Sequence, residues 1–543
     1  MSDQGWPSPP REPGPWGGGP PVAPPGNTPL PPLPGPGGVS RTTAAATNPW
    51  ANAESIPAPP PPPGGPRPPF PGLAGPAVPR VDRAPRWIVA LAAIVVLGLV
   101  AGIGYVTVKG GRQYPSEWDA RVAPIAAWVE KARKLGYDHP VEVEFLTPAQ
   151  YKAVSTGGDD SSGSSASDDA DQLAQLRALG LVEGDVDLGK AGDTLSDSGT
   201  LAFYDPGTKK VYVRGTDMTP ALRVTLAHEL THVLQDQHFD LNRIGDLPED
   251  QAPVLRALAE GDATRIEDQY VAKVLTADER KTYEQTSTDE GDKAQTAIDK
   301  DVPPILTALF AAPYIFGPEL VTYLSQKDGD GALDKAFTDV PTEAVLFDPL
   351  IYGTDAAKTT PLTVAAPSGT DKLDDGQFGA TAWYLLLASR LAPTTALAAT
   401  DGLGGDGYVV YREKGTVCVQ IHASGDTAQD VTQLSGALKD WVAKSPAGTA
   451  SVDVADDQVQ FRSCDPGAKA TGAGKVSVDL LAVPVTRTQV YDQVVQSGAS
   501  EKQATCYANA IVGSFSLAQL TDPTFVQSAE GQAKIKQLQG GCF

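Results

Sequence analysis

Positive charge is what this sequence is short of. Across 543 residues, 43 Lys and Arg face 66 Asp and Glu, a formal charge of −23. The first 86 residues hold 6 basic and 4 acidic side chains, so the remainder carries −25. A surface of that sign repels phosphate backbones, which excludes nucleic acid as a partner. Cysteine is scarce too. The four present (Cys418, Cys464, Cys506 and Cys542) all lie in the last quarter of the chain, and no two are spaced C-x-x-C, which argues against a thiolate metal site.

Residues 1–86 are poor in branched apolar and aromatic side chains and hold 28 of the 49 prolines, interleaved with glycine runs. They cannot bury a core and read as a disordered, polyproline-like cytoplasmic tail. A solvated spacer is its first use; docking a cytosolic partner of SH3-like or WW-like type is the second that the composition allows. Residues 87–108 lack any charge over 22 positions, about 33 Å of helix at ~1.5 Å per residue, which suffices for a transmembrane helix. The run starts far into the chain and no small-residue cleavage pattern follows it, which argues against a secretory signal. Arg80, Arg83 and Arg86 cluster before it, favouring a cytoplasmic N-terminus in the cell membrane and an extracytoplasmic remainder. All the cysteines then fall on the oxidising side, where Cys418–Cys464 with Cys506–Cys542 is the most local of three pairings. The outer part is expected to divide into residues 113–442 and a disulfide-containing region, 443–543.

The outer part mixes both periodicities, so its expected class is α+β. Helical spacing runs through Trp118, Val122, Ile125, Trp128 and Val129 in residues 116–135. Residues 141–146 alternate as a strand, and the acidic low-complexity stretch 155–171 reads as a mobile loop. Residues 201–204 and 210–213 flank Asp205-Pro206-Gly207-Thr208 as a hairpin. The segment 210–215, KVYVRG, is either an edge strand on which an extended peptide can pair or an ordinary hairpin strand. Later, residues 406–420 read as paired strands around Lys414-Gly415. Residues 452–461 alternate in the same way, and 489–540 form a helical cap.

Thr219-Pro220 supplies an N-cap and a first-turn proline for a helix over residues 219–241. That helix holds His228, Glu229 and His232, an H-E-x-x-H set, although the whole chain has only five histidines. Residues four apart share a helical face, so both imidazoles can reach one ion about 2.0–2.1 Å away. Glu229 sits one residue round, placed to take a proton from metal-activated water without being a ligand. Leu222, Leu226, Leu230, Val233 and Leu234 supply a buried flank.

A third ligand has two candidates. His238 stands at the metzincin spacing, but Gln235 occupies the place of that pattern's glycine, and both methionines, Met1 and Met218, lie upstream of the motif rather than below it. Glu260, in a second helix over residues 251–275 and surrounded by Leu255, Leu258, Ala259 and Ala263, is the better candidate. A buried carboxylate needs a partner, and a cation is one.

The chain resembles bacterial exported zinc metallopeptidases of gluzincin type. The likeness rests on AFYDPGTKKVYVRG, HELTHVLQDQHFDL and ALAEGDAT, then on APYIFGPELVTYL, PTEAVLFDPLIY and GLGGDGYVVYR, and it spans roughly residues 135–442. It implies a zincin-like α+β domain with a small sheet plus active-site and ligand helices. It also implies one zinc per chain on His228, His232 and Glu260, with Glu229 assisting zinc-hydroxide attack on a peptide or protein substrate. Two departures concern the surroundings of the ligands. Phe347-Asp348 stands where a His is expected before Pro349. Thr264 stands where an Asp commonly steadies a ligand His, with Asp262 or Asp240 as possible substitutes. The oxyanion donor stays open among Tyr314, Tyr352, Tyr270 and His238. The rival reading is a catalytically silent cell-envelope scaffold or binding protein on the same fold.

Overall fold

Alternation in EVEFL and KVYVR builds the first sheet. Strand β1 (Glu142–Leu146), β2 (Ala202–Asp205) and β3 (Lys210–Arg214) lie in the order β1-β3-β2, β3 antiparallel to β2 and parallel to β1. The expected turn joins β2 to β3: the Asp205 carboxylate accepts from Gly207 N and Thr208 Oγ1, both at 2.8 Å, and Lys209 enters the left-handed region at φ 59°. β3 is therefore central and not an edge. A two-strand hairpin leaves β3 one open side, and β1 fills it, so KVYVRG is a hairpin strand with no free edge for an incoming peptide.

The computed structural model describes residues 114–155, 166–196 and 201–543. The expected tail (1–86) and membrane span (87–108) lie outside the described residues. Within them the chain is α+β and mostly helical. Helix α1 (Ala123–Arg133) is shorter than its spacing suggests: it starts at residue 123, with Pro124 in its first turn, and Lys134, left-handed at φ 60°, ends it. A helix, Ala166–Ala178, begins inside the stretch expected as an acidic loop: its first turn carries Asp168 and Asp169, which suit a helix N-terminus.

Helix α2 (Pro220–Phe239) starts as expected, with the Thr219 side chain accepting from Leu222 N at 3.1 Å. Its apolar flank packs with Val211, Val213, Ala202 and Tyr204 of the sheet in one core. Helix α3 (Ala252–Lys273) serves two cores: Ile266 and Tyr270 join that one, while Val254, Leu255 and Leu258 join a second, larger one. After α4 (Ala277–Asp301) comes α5 (Pro304–Asp328), which lies against α3. The two helices touch by backbone. A Cβ added at Gly317 would stand 2.1 Å from Ala257 O, and one at Gly261 2.3 Å from Gly317 O, so neither position admits a side chain. Among the described residues α5 alone is long and apolar enough to cross a membrane, but 61% of its apolar window is buried, as in a core helix.

The second sheet is antiparallel throughout. Strands β4 (Asp371–Gly376), β5 (Leu403–Glu413), β6 (Thr416–Gly425), β7 (Ala450–Ala455) and β8 (Gln458–Cys464) lie in the order β4-β5-β6-β8-β7. It takes strands from both sides of residue 443. Lys414 and Gly415, at φ 50° and 87°, make the expected turn. The alternating run 452–461 splits into β7 and β8 at Asp456 and Asp457, both at positive φ, as a two-residue hairpin requires. Disulfides join Cys418 to Cys464 across β6 and β8, and Cys506 to Cys542 between the helices Glu501–Ser514 and Ala529–Cys542. That is the most local pairing, and the terminal region is the stapled helical cap read from the sequence.

Candidate metal centre

The i, i+4 spacing of α2 puts His228 and His232 side by side, their ring centroids 4.8 Å apart. Helix α3 brings Glu260 to them from the opposite side. Glu260 Oε2 lies 3.3 Å from His228 Nε2 and 3.6 Å from His232 Nε2, and one ligand atom from each residue falls within 4.8 Å of the others. Ligands on a tetrahedron at about 2.0–2.1 Å from an ion stand about 3.3 Å apart, so the cluster has the size a small divalent cation needs. All three residues are buried. His232 Nε2 and Glu260 Oε1 are buried without a hydrogen-bond partner. Buried polar atoms left unpaired cost on the order of 1–3 kcal/mol each, and a shared cation removes that cost. The group can hold a metal ion.

The other ring nitrogens are fixed from outside. His228 Nδ1 donates to Glu267 Oε2 at 3.0 Å, and Glu267 Oε1 accepts from Tyr283 Oη at 3.1 Å. His232 Nδ1 donates to Gln235 Oε1 at 2.9 Å. The Gln235 amide in turn donates to Ala259 O and Asp262 Oδ2, each at 3.1 Å. Asp262 is itself held by Arg133 and Arg265, each at 2.7 Å. Both imidazoles are thus held with Nε2 turned towards Glu260.

Sequence reasoning found the ligand candidates but not these supports. Of the substitutes weighed for the missing Asp, Asp262 acts at one remove through Gln235, while Asp240 caps α2 as an exposed residue. Glu267 does the steadying of His228. It lies seven residues beyond Glu260, two turns along α3, and counting helical turns from the ligand is the signal that finds it.

Glu229 is fully buried beside the cluster. Its Oε2 accepts from Tyr204 N at 2.8 Å, so the outward edge of β2 faces it, and its Oε1 has no partner. Burial pushes its carboxyl up to about 7, against the pull of His232 and His228. Glu260 behaves oppositely: burial raises it, but the two imidazoles overcome that and hold it at about 2. Burial works against a charged His228, yet Glu260 and Glu267 outweigh it and raise the ring well above its ordinary range.

The four oxyanion candidates separate. His238 is exposed, with Nε2 2.7 Å from Gly136 O. Tyr270 packs edge-on against Trp128 in the first core, and Tyr352 packs at the margin of the second. Tyr314, on α5, alone interacts with Glu260 and Glu229, and burial with those charges keeps its hydroxyl protonated. Phe347 is core, and Asp348 caps a 3-10 turn, accepting from Leu350 N at 3.1 Å. Comparison of the chain with known protein families, with curated proteins and with solved structures returns no match.

Proposed function

We propose that the protein is a zinc-dependent peptidase with a zincin-like domain, hydrolysing peptide bonds, in which His228, His232 and Glu260 hold the ion. The observation that carries this reading is one buried cluster combining three ligand atoms with a fourth, non-ligating carboxylate, Glu229. Two imidazoles and one carboxylate suit zinc better than calcium or magnesium, which take oxygen ligands. Zinc, when bound, supplies Lewis acidity towards a carbonyl and towards water.

The chain's own groups supply the rest. Glu229, with a carboxyl pushed up to about 7, can take a proton near neutral pH and return it to a leaving amine. Tyr314, which keeps its proton beside Glu260 and Glu229, would donate a hydrogen bond to a developing oxyanion. An extended substrate would lie near β2, whose edge faces Glu229, and not along β3. The two disulfides favour an oxidising compartment, in keeping with a catalytic region held outside the membrane by residues 87–108.

The test pairs metal content with turnover. Purified full-length protein should carry about one zinc by elemental mass spectrometry, lost in His232→Ala. Glu229→Gln should keep the zinc and lose cleavage of a peptide pool. Zinc retained with no cleavage by the unmodified protein would favour the silent scaffold.

A further inference from the structure

One cation beside the metal centre has no counter-charge of its own. Arg256 lies one helical turn before Glu260 on α3, so both side chains occupy the same face. The contact of Ala257 and Gly261 with Gly317 sets α5 against that face and brings Tyr314, one turn before Gly317, over it. Arg256 accordingly interacts with both Tyr314 and Glu260. It is partly buried, and its desolvation disfavours the charge it carries. Every other arginine near the centre is paired: Arg133 with Asp262 and Asp334, Arg223 with Glu279, and Arg265 with Asp262 and Asp330. Arg256 makes no ion pair within 4 Å among the described residues, and the acid whose charge acts on it, Glu260, belongs to the ligand set. With an ion bound, the charge of Glu260 is committed to the metal. A half-buried guanidinium left over at the rim of a reaction site is a receptor for an anion of planar, bidentate geometry.

We propose that Arg256 seats a carboxylate of the substrate, so that the site selects peptides presenting a free α-carboxylate or an acidic side chain beside the bond to be cleaved. This rests on the peptidase reading above. It runs against the sign of the domain as a whole, whose charge of −25 beyond residue 86 suggests a taste for basic substrates. A local cation in a desolvated site outweighs distant, screened surface acids, because charges beyond about 8–10 Å are largely damped at physiological salt.

Binding, not turnover, tests it. Zinc-loaded full-length Glu229→Gln protein is titrated calorimetrically with acetyl-Ala-Ala as the free acid and as the amide. A second pair, acetyl-Ala-Glu-amide and acetyl-Ala-Gln-amide, separates a side-chain carboxylate from an α-carboxylate. The acid member of at least one pair is expected to bind about tenfold tighter or better, and Arg256→Gln should erase that difference while keeping the zinc. Arg256→Lys should restore part of it. Equal binding of acid and amide in both pairs overturns the proposal, as does a preference that survives Arg256→Gln. A carboxylate preference in a zinc-loaded wild-type protein that cleaves nothing would instead sink the peptidase reading and leave the Arg256 site standing.

Discussion

Gln235 accepts the Nδ1 hydrogen of His232 at 2.9 Å from the next turn of the same helix. Because its own amide is tied to Ala259 O and Asp262 Oδ2, it links the H-E-x-x-H helix to the helix that carries Glu260. Gln235→Leu should keep the fold and weaken zinc binding about 10–100-fold, the usual loss when a ligand's support is removed. Competition against a chromophoric chelator reads it. Unchanged affinity would mean that packing alone orients His232.

Glu260→Ala is expected to abolish zinc binding, whereas His238→Ala should leave it intact, since His238 is exposed and bonded to Gly136 O. Zinc content per chain after dialysis decides between them. The reverse pattern would make His238 the third ligand.

Proton competition should show in the metal affinity. Glu260 and Glu267, against burial, hold His228 charged above the ordinary imidazole range, so an ion must displace a proton to reach Nε2. Affinity should therefore rise with pH, by about tenfold or more per unit between pH 6 and 8, until the free ring is neutral. Chelator competition at three pH values measures the slope. A flat profile would remove His228 from the ligand set.

Glu343 offers a stability test away from the metal. Burial pushes its carboxyl from 4.5 up to about 7, although Thr381 bonds to it. The folded state then holds this proton longer than the unfolded chain. Its contribution is full below about pH 4.5 and is lost as pH rises through about 7, on the order of 3 kcal/mol in all. Glu343→Gln should flatten the fall in melting temperature between pH 5 and 8 relative to the wild type, with both proteins in chelator.

Gly317→Ala tests the helix crossing. Its Cβ would meet Ala257 O at 2.1 Å, a backbone atom that cannot step aside. Destabilisation of about 3 kcal/mol or more is expected by thermal melt, together with weakened zinc binding, because α3 must shift to relieve the contact. An alanine at Gly436, an exposed mid-helix position where nothing lies within 4 Å, is the control and should if anything stabilise, by about 0.5–1 kcal/mol.

The parts of the site carried by neighbours in sequence were legible in it. His228, Glu229 and His232 share two turns of one helix, and Thr219 with Pro220 announces where that helix begins. Glu260 was legible through its company, since a carboxylate among Leu255, Leu258, Ala259 and Ala263 has to face inward. The DPGT turn and the two disulfides followed from local chemistry. What sequence did not disclose depends on helices meeting at a distance. Tyr314 reaches the centre only because Gly261 and Gly317 let α3 and α5 touch, and Gln235 gained its role from a partner 27 residues away. The polar run DKLDDG carries no apolar alternation, yet pairing with β5 makes it a strand.

Helix α3 belongs to two cores at once, and Glu260 lies where it passes from one to the other. The histidines sit on a helix whose apolar side chains from Leu222 to Leu234 belong to the first core, while the residues just before Glu260 belong to the second. An ion at the centre would thus act as a rivet through a seam, fastening two separately packed halves of the fold. Removing it frees that seam to slip, so amide hydrogens on both sides of it should exchange faster together, well beyond the first turn around the ligands.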